Sequence, residues 1–186
     1  MAGDDVSTDD DQPFGPTVAA LDETVDALFE PLRANPTLNR AMYVVTNSGD
    51  WSKIWHASGV VAALVRRRPQ DVVRLSVVMG LESLIVNQGV KRLFGRVRPR
   101  RDDLEHEHDI RTPLTSSFPS GHASAAMTAA AVLSRRGGWY VWYPLGMVVA
   151  WSRVHVRMHH PSDVVAGLAT GALLGRIANR VLDRLD

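Results

Sequence analysis

The sequence predicts an all-α protein, an antiparallel helical bundle of about five apolar helices, read as transmembrane, with an amphipathic helix in front. Three observations carry this reading. Apolar runs recur along the chain, separated by arginine clusters and Pro or Gly. Alternating runs bounded by turn residues, the mark of strands, are missing. Gly167, Gly171 and Gly175 recur at helical spacing and put three small residues on one helix face. A chain of 186 residues has ample material for one core. The absence of Cys excludes disulfides and thiolate chemistry. Formal net charge is only +1, and no nucleic-acid partner is expected.

Residues 1–15 are expected to form a disordered acidic arm, since MAGDDVSTDDDQ contains no Lys or Arg. It lacks both the basic and the apolar part of a signal peptide, so none is expected. Residues 16–50 read as an amphipathic helix and connector. Pro16, Thr17 and the series Val18, Leu21, Val25, Leu28 and Phe29 predict a helix to about Arg33, with Asp22, Glu23 and Asp26 facing water. Asn35-Pro36 breaks it, and a short helix or loop leads to Asn47-Ser48-Gly49-Asp50. Residues 51–186 hold the main domain. Its apolar segments are Ile54–Val65, Val72–Val90, Ala123–Leu133, Trp139–Trp151 and Val164–Leu174. Arg74 and Glu82 interrupt the second, where Glu82 must face other helices.

A single span needs about 20 apolar residues, and none of these runs reaches that length uncharged, so hydropathy alone leaves the membrane question open. Arginines at segment ends can snorkel. Trp139, Tyr140, Trp142 and Tyr143 resemble an interfacial belt. Both features favour a bilayer over a soluble bundle.

If the helices alternate in direction, three polar clusters meet at one end of the bundle. The first is KRLFGRVRP, residues 91–99. Lys91 and Arg98 are seven apart, which would place them on one helix face ahead of Pro99, and two such cations suit a phosphate group. A basic helix end beside headgroups or water would look the same. The second is Phe118-Pro119-Ser120-Gly121-His122. Pro119 and Ser120 suit a helix start, whose free N–H groups bind anions; Gly121 lets a ligand approach the backbone, and His122 can donate a proton near neutral pH. A plain helix cap is the bland alternative. The third is WSRVHVRMHHPSD, residues 151–163. Ser152 and His159 are seven apart and share a helix face, Pro161 disfavours helix at His160 so that His159 lies near the helix end, and Ser162 can cap the next helix. Asp163 can then accept a hydrogen bond from one ring nitrogen of His159 and leave the other free to attack. Arg153 can stabilise a transferring phosphoryl group.

Taken together, these positions form K-x6-RP, then PSGH, then SR-x5-H-x3-D. The order and spacing resemble the type 2 phosphatidic acid phosphatase (PAP2) superfamily, which includes vanadium haloperoxidases and bacterial acid phosphatases. The resemblance covers roughly residues 52–182. It implies that His159 is a nucleophile forming a phosphohistidine, that Asp163 orients it, and that His122 protonates the leaving oxygen and later activates water. It also implies that Lys91, Arg98, Ser120, Gly121 and Arg153 hold the phosphate oxygens, with no metal and no cofactor. The compact chain is most similar to small bacterial membrane members, which implies a multi-pass protein of the cell membrane acting on a lipid phosphate of phosphatidate or polyprenyl type.

Competing readings are a soluble acid phosphatase of the same superfamily, a vanadate-dependent peroxidase and a non-enzymatic lipid-binding membrane protein. His106-Glu107-His108-Asp109 could suggest a metal site but is short and lies in a polar loop; His155 with His159 and His160 could hold a metal as spaced His pairs do, but the complete phosphatase pattern disfavours that.

Overall fold

The computed structural model describes residues 14–99 and 115–186, and within them the only regular structure is helical. Each apolar segment lies within a helix, except that the last residue of the second, Val90, begins a short 3₁₀ turn. The helices are α4 (Lys53–Arg66), α5 (Gln70–Ser83, continued by a π-helical stretch Leu84–Gly89), α6 (Gly121–Ser134), α7 (Trp139–His155) and α8 (Pro161–Asp183). Three further helices precede them: α1 (Gly15–Ala27), α2 (Glu30–Arg33) and α3 (Pro36–Ser48). The expected single N-terminal helix to about Arg33 is therefore broken at Leu28–Phe29, and the connector after it is a full helix. The structure accordingly has more helices than five plus one. The expected acidic arm and the His106–Asp109 cluster lie, respectively, mostly and wholly outside the described residues.

Helix α6 occupies the centre. Ala123, Ala126, Ala129 and Ala130 are fully buried, as are Ser124 and Thr128. Small side chains all round let α5, α7 and α8 approach from every side, so its sequence has no polar face to present. Gly167, Gly171 and Gly175 of α8 all lie buried against α6. A second core forms where Trp55, Leu75, Met79 and Val149 meet α6.

Helix direction alternates from α4 onward. At one end Arg66 donates to the carbonyls of Leu133 and Gly137, and Asp186 gathers Arg68, Arg74, Arg135 and Arg136. The other end holds the start of α4, the end of α5, the start of α6, the end of α7 and the start of α8, which is where the polar clusters fall.

Helix α1 reverses one expectation. Its Asp22 is only 4 % exposed, whereas Leu21 is 60 % and Leu28 67 % exposed. The inward carboxylate meets a buried guanidinium, that of Arg96, and an ion pair of that kind outweighs the apolar pattern of a short helix. Glu82 is buried among helices, as expected. Among the described residues no helix is both long and apolar enough to cross a membrane on its own.

Candidate active site

Backbone hydrogen bonds stitch the three clusters together. Ser117 N donates to Arg96 O at 3.0 Å, which ties the 94–99 segment to the approach to α6. Ser120 N donates to Asp163 O at 3.0 Å, which ties the start of α6 to the start of α8. Ser120 is the residue before α6, and its Oγ accepts from Ala123 N at 3.4 Å.

Lys91, Arg98, Gly121, His122, Arg153 and His159 line one cavity of about 370 Å³, along with Asp50, Glu82 and Asn87. Two other expected residues stand behind its wall: Ser120 and Asp163 are both fully buried. A side chain on Gly121 would put its Cβ 2.7 Å from Asn87 Oδ1, so a larger residue there would push the Asn87 amide aside.

Two helix-face arguments are corrected. Lys91 sits in a short 3₁₀ turn, Val90–Leu93, and the chain from Phe94 to Pro99 is not helical. Lys91 and Arg98 thus meet because the chain turns. Helix α7 ends at His155, so Ser152 and His159 do not share a face. Ser152 is fully buried and donates to Val149 O at 2.7 Å. Instead, Arg157 adopts a left-handed conformation (φ 51°), and Met158 N and His159 N both donate to Arg153 O, at 2.9 and 3.2 Å. This turn closes the end of α7 and leaves the His159 ring between Arg98 and Asp163.

The His159 ring is 2 % exposed. Its Nε2 is 3.3 Å from Arg98 Nη1. Arginine carries only donors, so Nε2 must accept in this contact, which places the ring proton on Nδ1. That Nδ1 lies 3.6 Å from Asp163 Oδ2, beyond hydrogen-bond reach, so the carboxylate acts on the ring through its charge when the ring becomes positive. Burial pushes the His159 imidazole well below its ordinary range, opposed by Asp163. The ring is therefore neutral near pH 7, with a lone pair facing the cations.

Asp163 itself is held from two sides. Oδ2 accepts from His160 N at 2.9 Å and Oδ1 accepts from Arg96 Nη1 at 2.7 Å. The residue before α8 is His160, not Ser162, with Asp163 in the first turn. Ser162 turns to Asp22 and Arg96 instead.

Three partners of the site went unrecognised in the sequence. Asp50 Oδ1 is 3.0 Å from His122 Nε2, and this hydrogen bond holds the Asp50 carboxyl below its ordinary range. Thr46 Oγ1 accepts from Arg153 Nη1 at 2.5 Å. Arg96, the third, sits among other arginines in the KRLFGRVRP stretch with nothing in the sequence to set it apart, yet it is 5 % exposed.

Among the described residues no group of His, Asp or Glu is arranged to hold a metal ion. His155, His159 and His160 point to separate partners: Asn39, Arg98 and the Val97 carbonyl.

A helical bundle that gathers Lys91, Arg98 and Arg153 around two imidazoles at one end is built to handle a compact anion. A family model described as the PAP2 superfamily matches residues 71–185, and the chain belongs to that superfamily. It is 38 % identical over 92 residues to decaprenylphosphoryl-5-phosphoribose phosphatase of Mycobacterium tuberculosis, which is 50 % of this chain and 51 % of that one. In that comparison the chain thus spans about half the length of its relative. The protein of the same description from Mycolicibacterium smegmatis is 28 % identical over 149 residues, 78 % of this chain and 80 % of the other. Two solved structures share the fold. The transmembrane PAP2-type phosphatidylglycerolphosphate phosphatase from Bacillus subtilis superposes with a TM-score of 0.71 at 23 % identity, covering 93 % of this chain and 90 % of that one. Aquifex aeolicus LpxE gives 0.68 at 24 %, covering 86 % and 95 %.

Proposed function

We propose that the protein is a membrane-embedded lipid phosphatase that hydrolyses a phosphomonoester or pyrophosphate of a lipid, of phosphatidate or polyprenyl type, through a phosphohistidine. The observation that carries this reading is the neutral His159 Nε2 facing Arg98 in a cavity that also holds Lys91, Arg153 and His122.

Lys91, Arg98 and Arg153 draw the phosphate oxygens in, and Gly121 at the start of α6 lets them approach its backbone N–H. His159 Nε2 attacks phosphorus; the N–P bond forms as the bond to the lipid oxygen breaks. Burial and Arg153 push the His122 imidazole down to about 4 against the pull of Asp50, below the neutral range expected from the sequence, so His122 gives a proton to that leaving oxygen only once the bound phosphate offsets the cations. Asp163 stabilises the charge that develops on the His159 ring. His122, now neutral, takes a proton from water, whose oxygen attacks phosphorus and returns the lone pair to Nε2. The cations supply the electrostatic work throughout, so these steps need no metal.

Membrane embedding is supported by the surface. Leu64, Val65, Val73 and Leu173 are all more than half exposed, and Trp139 and Tyr140 are similarly open at the start of α7. Apolar residues at that density suit lipid better than water. The relatives' names also favour a lipid-linked phosphate.

Phosphate release from diacyl phosphatidate, prenyl monophosphate and prenyl pyrophosphate in detergent, with chelator present, tests the proposal. Release from at least one lipid is expected, well above that from a water-soluble aryl phosphate. A preference for the aryl phosphate would favour the soluble acid phosphatase reading, and release from none would overturn the enzyme reading.

Lys91 gives a pH test. Burial, with Arg98 and Arg153 close by, pushes its ammonium down to about 8. It is charged below that pH and loses its charge above it, so kcat/KM should fall as pH rises through about 8. Lys91→Arg keeps its charge at all accessible pH and should move that limb upward. A limb that stays in place would remove Lys91 from phosphate binding.

A further inference from the structure

Arg96 bridges two carboxylates that are far apart in the chain. Nη1 donates to Asp163 Oδ1 at 2.7 Å, and Nη2 donates to Asp22 Oδ2 at 2.6 Å. Ser162 closes the arrangement. Its Oγ accepts from Arg96 Nη1 and donates to Asp22 Oδ2, both at 2.7 Å, while its N–H donates to Asp22 Oδ1 at 2.7 Å. The Phe14 ring covers the guanidinium, 5.1 Å from its central carbon. Asp22, Arg96 and Asp163 are all nearly or fully buried.

An arginine beside one carboxylate prefers to grip both of its oxygens with its fork. Here the fork is split. Asp22 takes the second arm, which leaves Asp163 Oδ2 to His160 N and to the His159 ring. We propose that Arg96 and Asp22 are positioning residues of this centre: Arg96 fixes Asp163 through Oδ1, and Asp22 keeps Arg96 from capturing Oδ2 as well. Helix α1, which lies before the residues matched to the superfamily, then sets the orientation of the proposed nucleophile. The inference rests on the phosphatase reading, because Asp163 matters here through His159.

Asp22→Asn removes the competing carboxylate and frees Arg96 to grip Asp163 bidentately. On whichever lipid phosphate the unaltered chain cleaves fastest, kcat should fall about ten- to a hundredfold, the range for losing a group that orients a reacting residue, with KM little changed. In an Asp163→Asn background the same change should add almost nothing, because Asp22 acts through Asp163. Asp22→Glu should recover part of the loss. A merely structural Asp22 would lower both backgrounds alike and leave the kcat-to-KM split unmoved, which would overturn the proposal.

A second readout needs no turnover. In a chain labelled with 15N-histidine, the Nδ1 resonance of His159, assigned with His159→Gln, should shift in Asp22→Asn. An unshifted resonance overturns the proposal even if the unaltered chain releases no phosphate, an outcome that would separately sink the phosphatase reading. If Asp22→Asn fails to fold, Ser162→Ala replaces it, with effects of the same sign and smaller size expected. An unmoved kcat and an unmoved resonance in that variant also overturn it.

Discussion

His159→Ala is expected to abolish phosphate release, by on the order of 10⁴-fold or more, as loss of a nucleophile does in other covalent enzymes. Without the ring no N–P bond can form. The cations that draw the anion in remain: Arg98 keeps its hydrogen bond from Nη1 to Met158 O at 2.7 Å, and Arg153 keeps Thr46. Binding of inorganic phosphate should therefore survive within a few-fold while kcat collapses. Asp163→Asn should lose most activity by a different route, because the ring then faces a neutral amide as charge develops on it. Full activity in His159→Ala would refute the nucleophile. Parallel loss of phosphate binding would mean that the ring mainly shapes the cavity.

Some of this centre was legible in the sequence and some was not, for physical reasons. Apolar runs between arginine clusters marked the helices α4 to α8, because burial and helix period leave a local trace. Short signatures marked Lys91, Arg98, His122, Arg153 and His159, because their chemistry fixes residue types at fixed spacing. Arg96 and Asp22 left no such trace. Their pairing spans 74 positions, and each resembles an ordinary surface charge until its partner is known. Asp50 and Thr46 reach the centre from outside the conspicuous stretches in the same way. The helical-face arguments failed at Lys91 and His159 because both lie past the point where the helix stops. The left-handed turn at Arg157, not helical periodicity, aims the imidazole.

Gly167→Ala and Gly171→Ala are expected to destabilise the bundle by about 1–3 kcal/mol or more each, the usual cost of overpacking a tight core. A Cβ at Gly171 would fall 2.3 Å from Ser124 O and 2.9 Å from Met127 Cβ; at Gly167 it would fall 2.4 Å from Ser120 O and 2.9 Å from Ala123 Cβ. The obstacles are largely backbone atoms of α6, which cannot swing aside as a side-chain tip can, so α8 must retreat. The two variants should differ in function. Gly167 packs on Ser120, whose N–H holds Asp163 O, so moving α8 there shifts Asp163 relative to Gly121 and His122. Gly171→Ala forces the helices apart one turn further from the cavity. Thermal unfolding in detergent should fall for both, whereas kcat should fall much further for Gly167→Ala. Gly80→Ala, with nothing within 4 Å of the added Cβ, should unfold no earlier than the unaltered chain, since alanine favours a helix by about 0.5–1 kcal/mol over glycine. If all three variants unfolded at the unaltered temperature, contact between the α6 and α8 backbones would not be what holds the halves of the site in register.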